Sequence, residues 1–243
     1  MIYNIHMENK RVLVLTGTTD ILRSSTDTDN TYEEVFDLTL PSKQRYAKRH
    51  GYDLLTLRSL GSDKHNIFKD KNLGILRVLR AFEMLDHYDT VMWIDADSII
   101  TNHNFSINDF QIDENHSFYV SWDWNNIGHS FSTGNFIIHK TKNTNNLFNS
   151  FLTTGKQLVD SNTWGEEQTT LNFLYNNTHR NDIKILEHKF LHTIPNKKMF
   201  MGIWDGRPET ISPWSEESFL VHLTGIPNKN RIEVAQTSFK DYL

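Results

Sequence analysis

The chain has 243 residues, 37% hydrophobic and 23% charged, which suits an ordinary globular protein and excludes a disordered one. A net charge of -5 gives no electrostatic reason to expect a nucleic-acid partner. The absence of cysteine excludes disulfides, zinc–thiolate sites and thiol nucleophiles.

The opening MIYNIHMENKRV lacks the apolar core of a signal peptide, and no window holds the roughly eighteen apolar residues of a membrane span. A cytoplasmic location is expected, or the Golgi lumen if an anchor has been removed. The sequons at Asn104, Asn115 and Asn176 carry no weight without a secretory signal. Val12–Leu15 reads as a buried strand that runs into a Thr-Gly-Thr turn. Pro41 suits the first turn of a helix, with Ser42–His50 behind it and Gly51 stopping it. Tyr52–Leu57 alternates as a second strand. Lys71–Leu85 carries Leu73, Leu76, Leu79, Phe82 and Leu85 at helical spacing. Thr90–Ile94 is a short apolar strand. Further strands are predicted near Ser117–Ser121, Asn135–His139, Ile183–Leu186 and Phe219–Leu223, and helices near Asn146–Val159 and Glu166–Tyr175. Strand–helix alternation followed by mixed strands points to an α/β sheet, parallel first and mixed later. Ligands of such sheets sit beyond the carboxyl ends of the strands, which puts Thr16–Thr19 and Asp95–Asp97 on one rim.

Asp-x-Asp occurs twice. Asp27-Thr28-Asp29 lies in the polar run STDTDN and reads as a solvated loop. Asp95-Ala96-Asp97 instead follows VMWI and precedes SIIT, so a buried strand delivers two carboxylates between apolar flanks. Uncompensated charge there costs several kcal/mol. A divalent cation with hard oxygen ligands, Mg²⁺ or Mn²⁺, is the usual remedy. The alternative is one structural carboxylate capping the next segment and another paired with Arg or Lys. Ala96 keeps the turn uncrowded. His222, at the end of the apolar run FLVHL and before a Gly turn, is either a third ligand or a packed, hydrogen-bonded histidine.

The run YDTVMWIDADSIITN, Tyr88 to Asn102, resembles the DxD segment of GT-A glycosyltransferases, closest to the galactosyl/xylosyltransferase group of the GMA12/MNN10 type, family GT34, and related small viral and microbial enzymes. Four more segments resemble that family in the same order: KQRYAKRHGYDL from Lys43, KNLGILRVLRAFE from Lys71, WGEEQTTLNFL from Trp164 and VHLTGIPNK from Val221. Glu166-Glu167 departs from the family, where Asp is commoner before the Gln. The resemblance implies a GT-A (Rossmann-like) fold with a central mixed, mostly parallel sheet flanked by helices. It implies one domain over 1–243, with a nucleotide-binding half at about 10–102 and an acceptor-side half at about 103–243. It also implies a UDP-sugar donor, a glycan acceptor, a retaining reaction, and Mn²⁺ (or Mg²⁺) bound by Asp95, Asp97 and His222.

The chemistry assigns further candidates. Metal and lysine neutralise the charge growing on a diphosphate leaving group. Lys229, behind Gly225, is placed for this or is a surface lysine. Thr16, Gly17 and Thr18 supply small side chains and backbone donors for base and ribose, or form a plain turn. Tyr46 stacks on uracil or belongs to the core, and Arg77 joins Asp95 and Ala96 on the donor side. An oxocarbenium-like centre needs a polar group on its face, for which Gln168, Glu167 and Asp123 are the candidates; Glu167 in an acid pair at a helix start is the plain alternative. Trp122, Trp124, Asn125, Asn126, His129, Ser132 and Asn135 suit sugar recognition, as do Trp164, Trp204 and Trp214. Asn196–Trp214 is long enough for a lid or acceptor loop. Competing readings are a haloacid-dehalogenase-type phosphotransferase, which carries its Asp-x-Asp on the first strand, and a non-catalytic carbohydrate-binding module, which leaves the strand-borne carboxylates unexplained.

Overall fold

The computed structural model describes residues 11–18, 31–58, 73–123, 131–160, 167–195, 213–226 and 228–243. In chain order they form β1 (Val12–Gly17), α1 (Thr31–His50), β2 (Asp53–Leu57), α2 (Leu73–Met84), β3 (Thr90–Ile94), β4 (Ser98–Ile100), β5 (Phe118–Trp122), β6 (Phe131–His139), α3 (Thr144–Asp160), α4 (Glu167–Asn177), β7 (Ile183–Leu186), α5 (His188–Leu191), β8 (Leu220–His222) and α6 (Asn228–Ser238). Six strands make one sheet in the order β2-β1-β3-β6-β5-β7. The β1–β2, β1–β3 and β5–β7 pairs are parallel, while β6 runs antiparallel to both β3 and β5. The expected α/β architecture, parallel first and mixed later, is the one observed.

The central strands are buried on both faces, which is why they read as unbroken apolar runs. Along β3, Val91 and Trp93 enter a core shared with α2, α3 and α4, whereas Met92 and Ile94 enter the opposite core with Tyr46 of α1. β1 alternates likewise, Leu13 and Leu15 against Val14. Leu15 pairs with Trp93, so the two strands end level and place Thr16–Thr18 beside Asp95 on one rim; Thr19 lies outside the described residues. Gly17 is required for close approach, because a Cβ there would stand 2.7 Å from the Leu57 carbonyl of β2.

The predicted strand near Phe219–Leu223 exists but joins a different sheet. β8 pairs antiparallel with β4, Ser98 opposite His222. The strand predicted at Asn135–His139 begins earlier, at Phe131, and the starts of the helices expected from Lys71 and Glu166 fall outside the described residues. The expectation that Pro41 opens a helix is corrected: α1 starts at Thr31 and carries Pro41 inside it. The buried stripe of Val35, Phe36, Thr39, Ser42, Lys43, Tyr46 and Ala47 runs unbroken past the proline. Packing along that stripe outweighs the single backbone bond that Pro41 cannot donate. Gly51 does end the helix, in the left-handed region at φ 67°.

The polar members of that stripe explain why periodicity missed its first half. Thr39 donates to the Ala96 carbonyl at 2.5 Å, and Lys43 Nζ donates to Thr39 Oγ1 at 2.9 Å and to the Ser98 carbonyl at 2.8 Å. Ser42 Oγ accepts the Ile100 amide at 3.2 Å. α1 thus cradles the backbone of the acidic turn from below. Burial pushes the Lys43 ammonium down to about 7, against the opposing pull of Asp97 and Asp95. Between about pH 7 and the ordinary 10.5, the unfolded chain holds a proton that the folded chain has shed, so this group's contribution to stability rises with pH there. Relative to Lys43→Met, the wild type is expected to gain about 2 kcal/mol of unfolding free energy from pH 7 to pH 9, measured by urea denaturation. An unchanged difference between the two proteins would show that Lys43 stays protonated throughout.

Candidate active site

Three elements converge at the rim. Asp95 directly follows β3, the turn into β4 carries Asp97, and β8 brings in His222. One ligand atom from each of Asp95, Asp97 and His222 lies within 4.8 Å of the others. His222 Nε2 stands 3.1 Å from Asp97 Oδ1 and 3.6 Å from Asp95 Oδ2. The turn is locked by the Asp95 carbonyl, which accepts from Ser98 N, and by the Asp97 carbonyl, which accepts from Leu223 N. Gly134 of β6 leaves the room for this cluster, since a Cβ there would stand 2.3 Å from His222 Cε1 and 3.1 Å from Asp95 Oδ2.

The charges are compensated from two sides. Arg77 of α2 donates to both Asp95 oxygens, at 2.6 and 2.8 Å, and also bonds Glu167 of α4. Trp93 Nε1 adds a bond to Asp95 Oδ1 at 2.7 Å, and Asn135 Oδ1 accepts the Asp95 amide at 3.0 Å. On the other side, Arg231 of α6 lies 3.2 Å from Asp97 Oδ2, with its guanidinium over the Tyr32 ring. Burial works against the charge on Asp97, but His222 and Arg231 prevail and hold its carboxyl well below the usual range. The paired-carboxylate alternative is therefore present too: Asp95 and Asp97 each have an arginine. It does not displace the metal reading. Ligands about 2.1 Å from a small divalent cation, at right angles, stand about 3 Å apart, which the 3.1 and 3.6 Å separations approach.

Other predicted residues separate into groups. Gln168 Nε2 donates to Asp123 Oδ2 at 2.9 Å, so these two candidates form a pair. Glu167 is not with them; its carboxylate takes Arg77 and, at 3.1 Å, Thr133 Oγ1. Gly74 is the reason it fits, because a Cβ there would stand 1.7 Å from Glu167 Oε2. The Thr16 and Thr18 hydroxyls are buried without partners among the described residues. Ala96 is buried, its carbonyl used by α1. Gly225 adopts φ 76° in the turn between β8 and α6. Lys229 lies in the first turn of α6, but its side chain is outside the described set.

Three expectations are corrected. Tyr46 does not reach a base: its ring is fully buried, 5.1 Å from Phe219. Asn135 does not face sugar, because Nδ2 donates to the Leu191 carbonyl and Oδ1 is used by Asp95. Trp214 packs edge-on against Phe239 and donates to Thr101 Oγ1 at 2.9 Å. Trp124, Asn125, Asn126, His129, Trp164, Trp204, the second Asp-x-Asp at Asp27 and Asp29, and residues 196–212 of the expected lid or acceptor segment lie outside the described residues.

Sequence reading missed Arg231, Lys43 and two histidines. His192 is buried beside His222, ring centroids 5.7 Å apart, and neither of its ring nitrogens has a partner among the described residues. Burial, then His222 and His188, push its pKa well below the ordinary value, so the ring is neutral. His188 helps line a cleft of about 410 Å³ together with Trp122, Ile185, Leu186 and Glu187. A basic residue three positions into a helix or a histidine in an apolar run carries no sequence signal of its own.

The model of the galactosyl transferase GMA12/MNN10 family matches residues 8–116. A solved glycosyltransferase involved in glycosylation of the major capsid of PBCV-1 is similar at TM-score 0.59 and 18% identity, over 92% of this chain and 97% of that one. The galactosyltransferase LgtC, solved with donor and acceptor sugar analogues, is similar at TM-score 0.53 and 14% identity, over 95% of this chain and 100% of that one. Mouse xyloside xylosyltransferase 1 is similar at TM-score 0.54 and 9% identity, over 90% and 99%. No curated protein matches by sequence. The chain is a glycosyltransferase of the GT-A fold. The phosphotransferase and binding-module readings end there, and the acidic turn, following the third strand and not the first, agrees. Among the described residues no helix of this glycosyltransferase is long and apolar enough to cross a membrane.

Gly134→Ala tests the cluster without touching a ligand. The added methyl must displace His222 or Asp95, and the expected outcome is divalent-ion binding weaker by about 10- to 100-fold with a stability loss of about 1–3 kcal/mol. Titration with Mn²⁺ followed by electron paramagnetic resonance reads the first, and thermal unfolding the second.

Proposed function

We propose that this glycosyltransferase moves a hexose or pentose from a UDP-sugar to a glycan acceptor, with retention, using Mn²⁺ or Mg²⁺ held by Asp95, Asp97 and His222. The observation that carries the reading is that cluster: two carboxylates and an imidazole, drawn from three separate elements onto the ligand-binding rim of the sheet. When bound, the cation supplies charge neutralisation at the diphosphate. Around it the protein's own residues do the positioning. Thr16 and Thr18, with buried hydroxyls lacking protein partners, are the residues proposed to meet the nucleoside. Lys229, at the start of α6 behind the Gly225 turn, is proposed to reach the diphosphate.

Arg77 holds the Asp95 carboxylate in place, and its bond to Glu167 fixes α4 against α2. Glu167 is thereby a positioning residue. Gln168, bonded to Asp123, is the residue proposed to meet the transferred sugar. Retention is supported by how these acids are engaged. Inversion calls for a carboxylate base on the far face, but Glu167 is taken by Arg77 and Thr133, and Asp123 by Gln168. A neutral amide such as Gln168 steadies an oxocarbenium-like centre without taking a proton. The families of the similar proteins, galactosyl and xylosyl transferases by their names, make UDP-galactose and UDP-xylose the first donors to test.

A thermal-shift screen of UDP and UDP-sugars with Mn²⁺ provides the test, because a ligand at one hundred times its Kd stabilises the native state by about 2.7 kcal/mol. UDP with Mn²⁺ is expected to raise the melting temperature, EDTA to cancel the rise, and Asp97→Ala to lose it while remaining folded. A folded Asp97→Ala protein that binds UDP and Mn²⁺ like the wild type would sink the proposal.

A further inference from the structure

We infer that His192 and Asp123 form a clip for one sugar hydroxyl, set between the metal cluster and the open cleft; the inference rests on the transferase reading above. The pair is arranged as a gap of fitting size. His192 Nε2 and Asp123 Oδ1 stand 3.7 Å apart, too far for a hydrogen bond between them. A hydroxyl oxygen about 2.8 Å from each closes that gap in a bent arrangement. It accepts from the imidazole N–H and donates to the carboxylate, using both sides of a hydroxyl's capacity. Water meets the same two atoms, but a sugar hydroxyl carried in on a bound substrate meets them without a separate immobilisation cost.

The histidine has no other evident task. It is 1% exposed, and both ring nitrogens lack partners among the described residues. A buried polar group left unpaired costs about 1–3 kcal/mol, so a packing role would be served better by an apolar ring. An imidazole offers at least one N–H donor for such a hydroxyl. Its partner is held in place independently, since Asp123 Oδ2 accepts from Gln168.

Placement names the ligand class. The His192 ring centroid lies 5.7 Å from that of His222 in the metal cluster and 6.5 Å from that of His188 in the wall of the cleft. The cleft also offers Trp122, an aromatic face suited to pyranose CH groups. A group gripped at His192 therefore lies where a donor sugar beside the metal would meet an acceptor entering by the cleft. The donor sugar and the acceptor sugar present the same hydroxyl chemistry, and binding measurements separate them.

The variants are His192→Phe, with His192→Leu as a second apolar replacement should the larger ring not pack, and His192→Asn, which keeps an N–H donor. Calorimetry with Mn²⁺ present measures UDP alone, then UDP-galactose, UDP-glucose, UDP-xylose and UDP-N-acetylglucosamine. Ligand-observed NMR measures methyl galactoside, methyl glucoside and methyl xyloside with UDP and Mn²⁺ present. The apolar variants are expected to bind UDP like the wild type and to lose about tenfold in sugar affinity, with His192→Asn recovering most of it. Loss confined to the UDP-sugars assigns the hydroxyl to the donor, and loss confined to the methyl glycosides assigns it to the acceptor. Folded apolar variants with unchanged sugar affinity, or an equal loss for UDP itself, overturn the clip and leave the transferase reading standing. A wild type that binds no UDP with Mn²⁺ overturns both.

Discussion

The structure depends on answering two carboxylates at the end of a buried strand. Asp95 and Asp97 follow four apolar residues of β3 that are almost wholly inaccessible, and bare charge there is expensive. The fold answers from three helices. α2 supplies Arg77, α6 supplies Arg231, and α1 supplies Lys43 beneath the turn. His222 then closes the cluster from β8. Removing any one of these would leave a charge or a carbonyl unanswered, so the helices are held to their places by electrostatics as much as by their apolar faces.

That requirement links the site to the rest of the molecule. Arg77 reaches Asp95 and Glu167 together, which ties α2 to α4 and, through Thr133, to β6. Gly74 and Gly134 are empty of side chain where that network and the histidine need space. Lys43, Thr39 and Ser42 give α1 a polar seam inside an otherwise apolar contact, directed at the backbone of the acidic turn. The result is a rigid platform at the carboxyl ends of β1 and β3, with a cleft by β7 on the far side of the sheet order. A sugar transfer needs such a platform: the leaving diphosphate, the sugar and the attacking hydroxyl must be held in one geometry before any bond changes.

The elements differ in how plainly they were written. β1 and β3 are legible because burial on both faces leaves only apolar residues there. The amphipathic α2 and α3 are legible by their spacing. α1 was only half legible, since its buried face carries Thr39, Ser42 and Lys43, residues that a pattern of apolar positions counts as exposed. β8 was legible as a strand but not as a member of a separate two-stranded sheet, because pairing with β4 is a matter of where the chain returns.

The same division holds for the site. Sequence by itself determined the strand-borne Asp95 and Asp97, the strand end at His222, the rim shared with Thr16–Thr18, and the ordered segments that resemble one transferase family. These are local facts: an apolar run, a polar residue at its end, a glycine after it. Tertiary structure alone decided which cations answer the carboxylates, that Glu167 belongs to Arg77, that Tyr46 and Asn135 are used up inside the protein, and that His192 faces Asp123. The arginine–carboxylate contacts among these join residues 18 to 134 positions apart (Arg77 with Asp95 at the near end, Asp97 with Arg231 at the far end), and only the folding of helices onto both faces of the sheet brings such distant charges within bonding range.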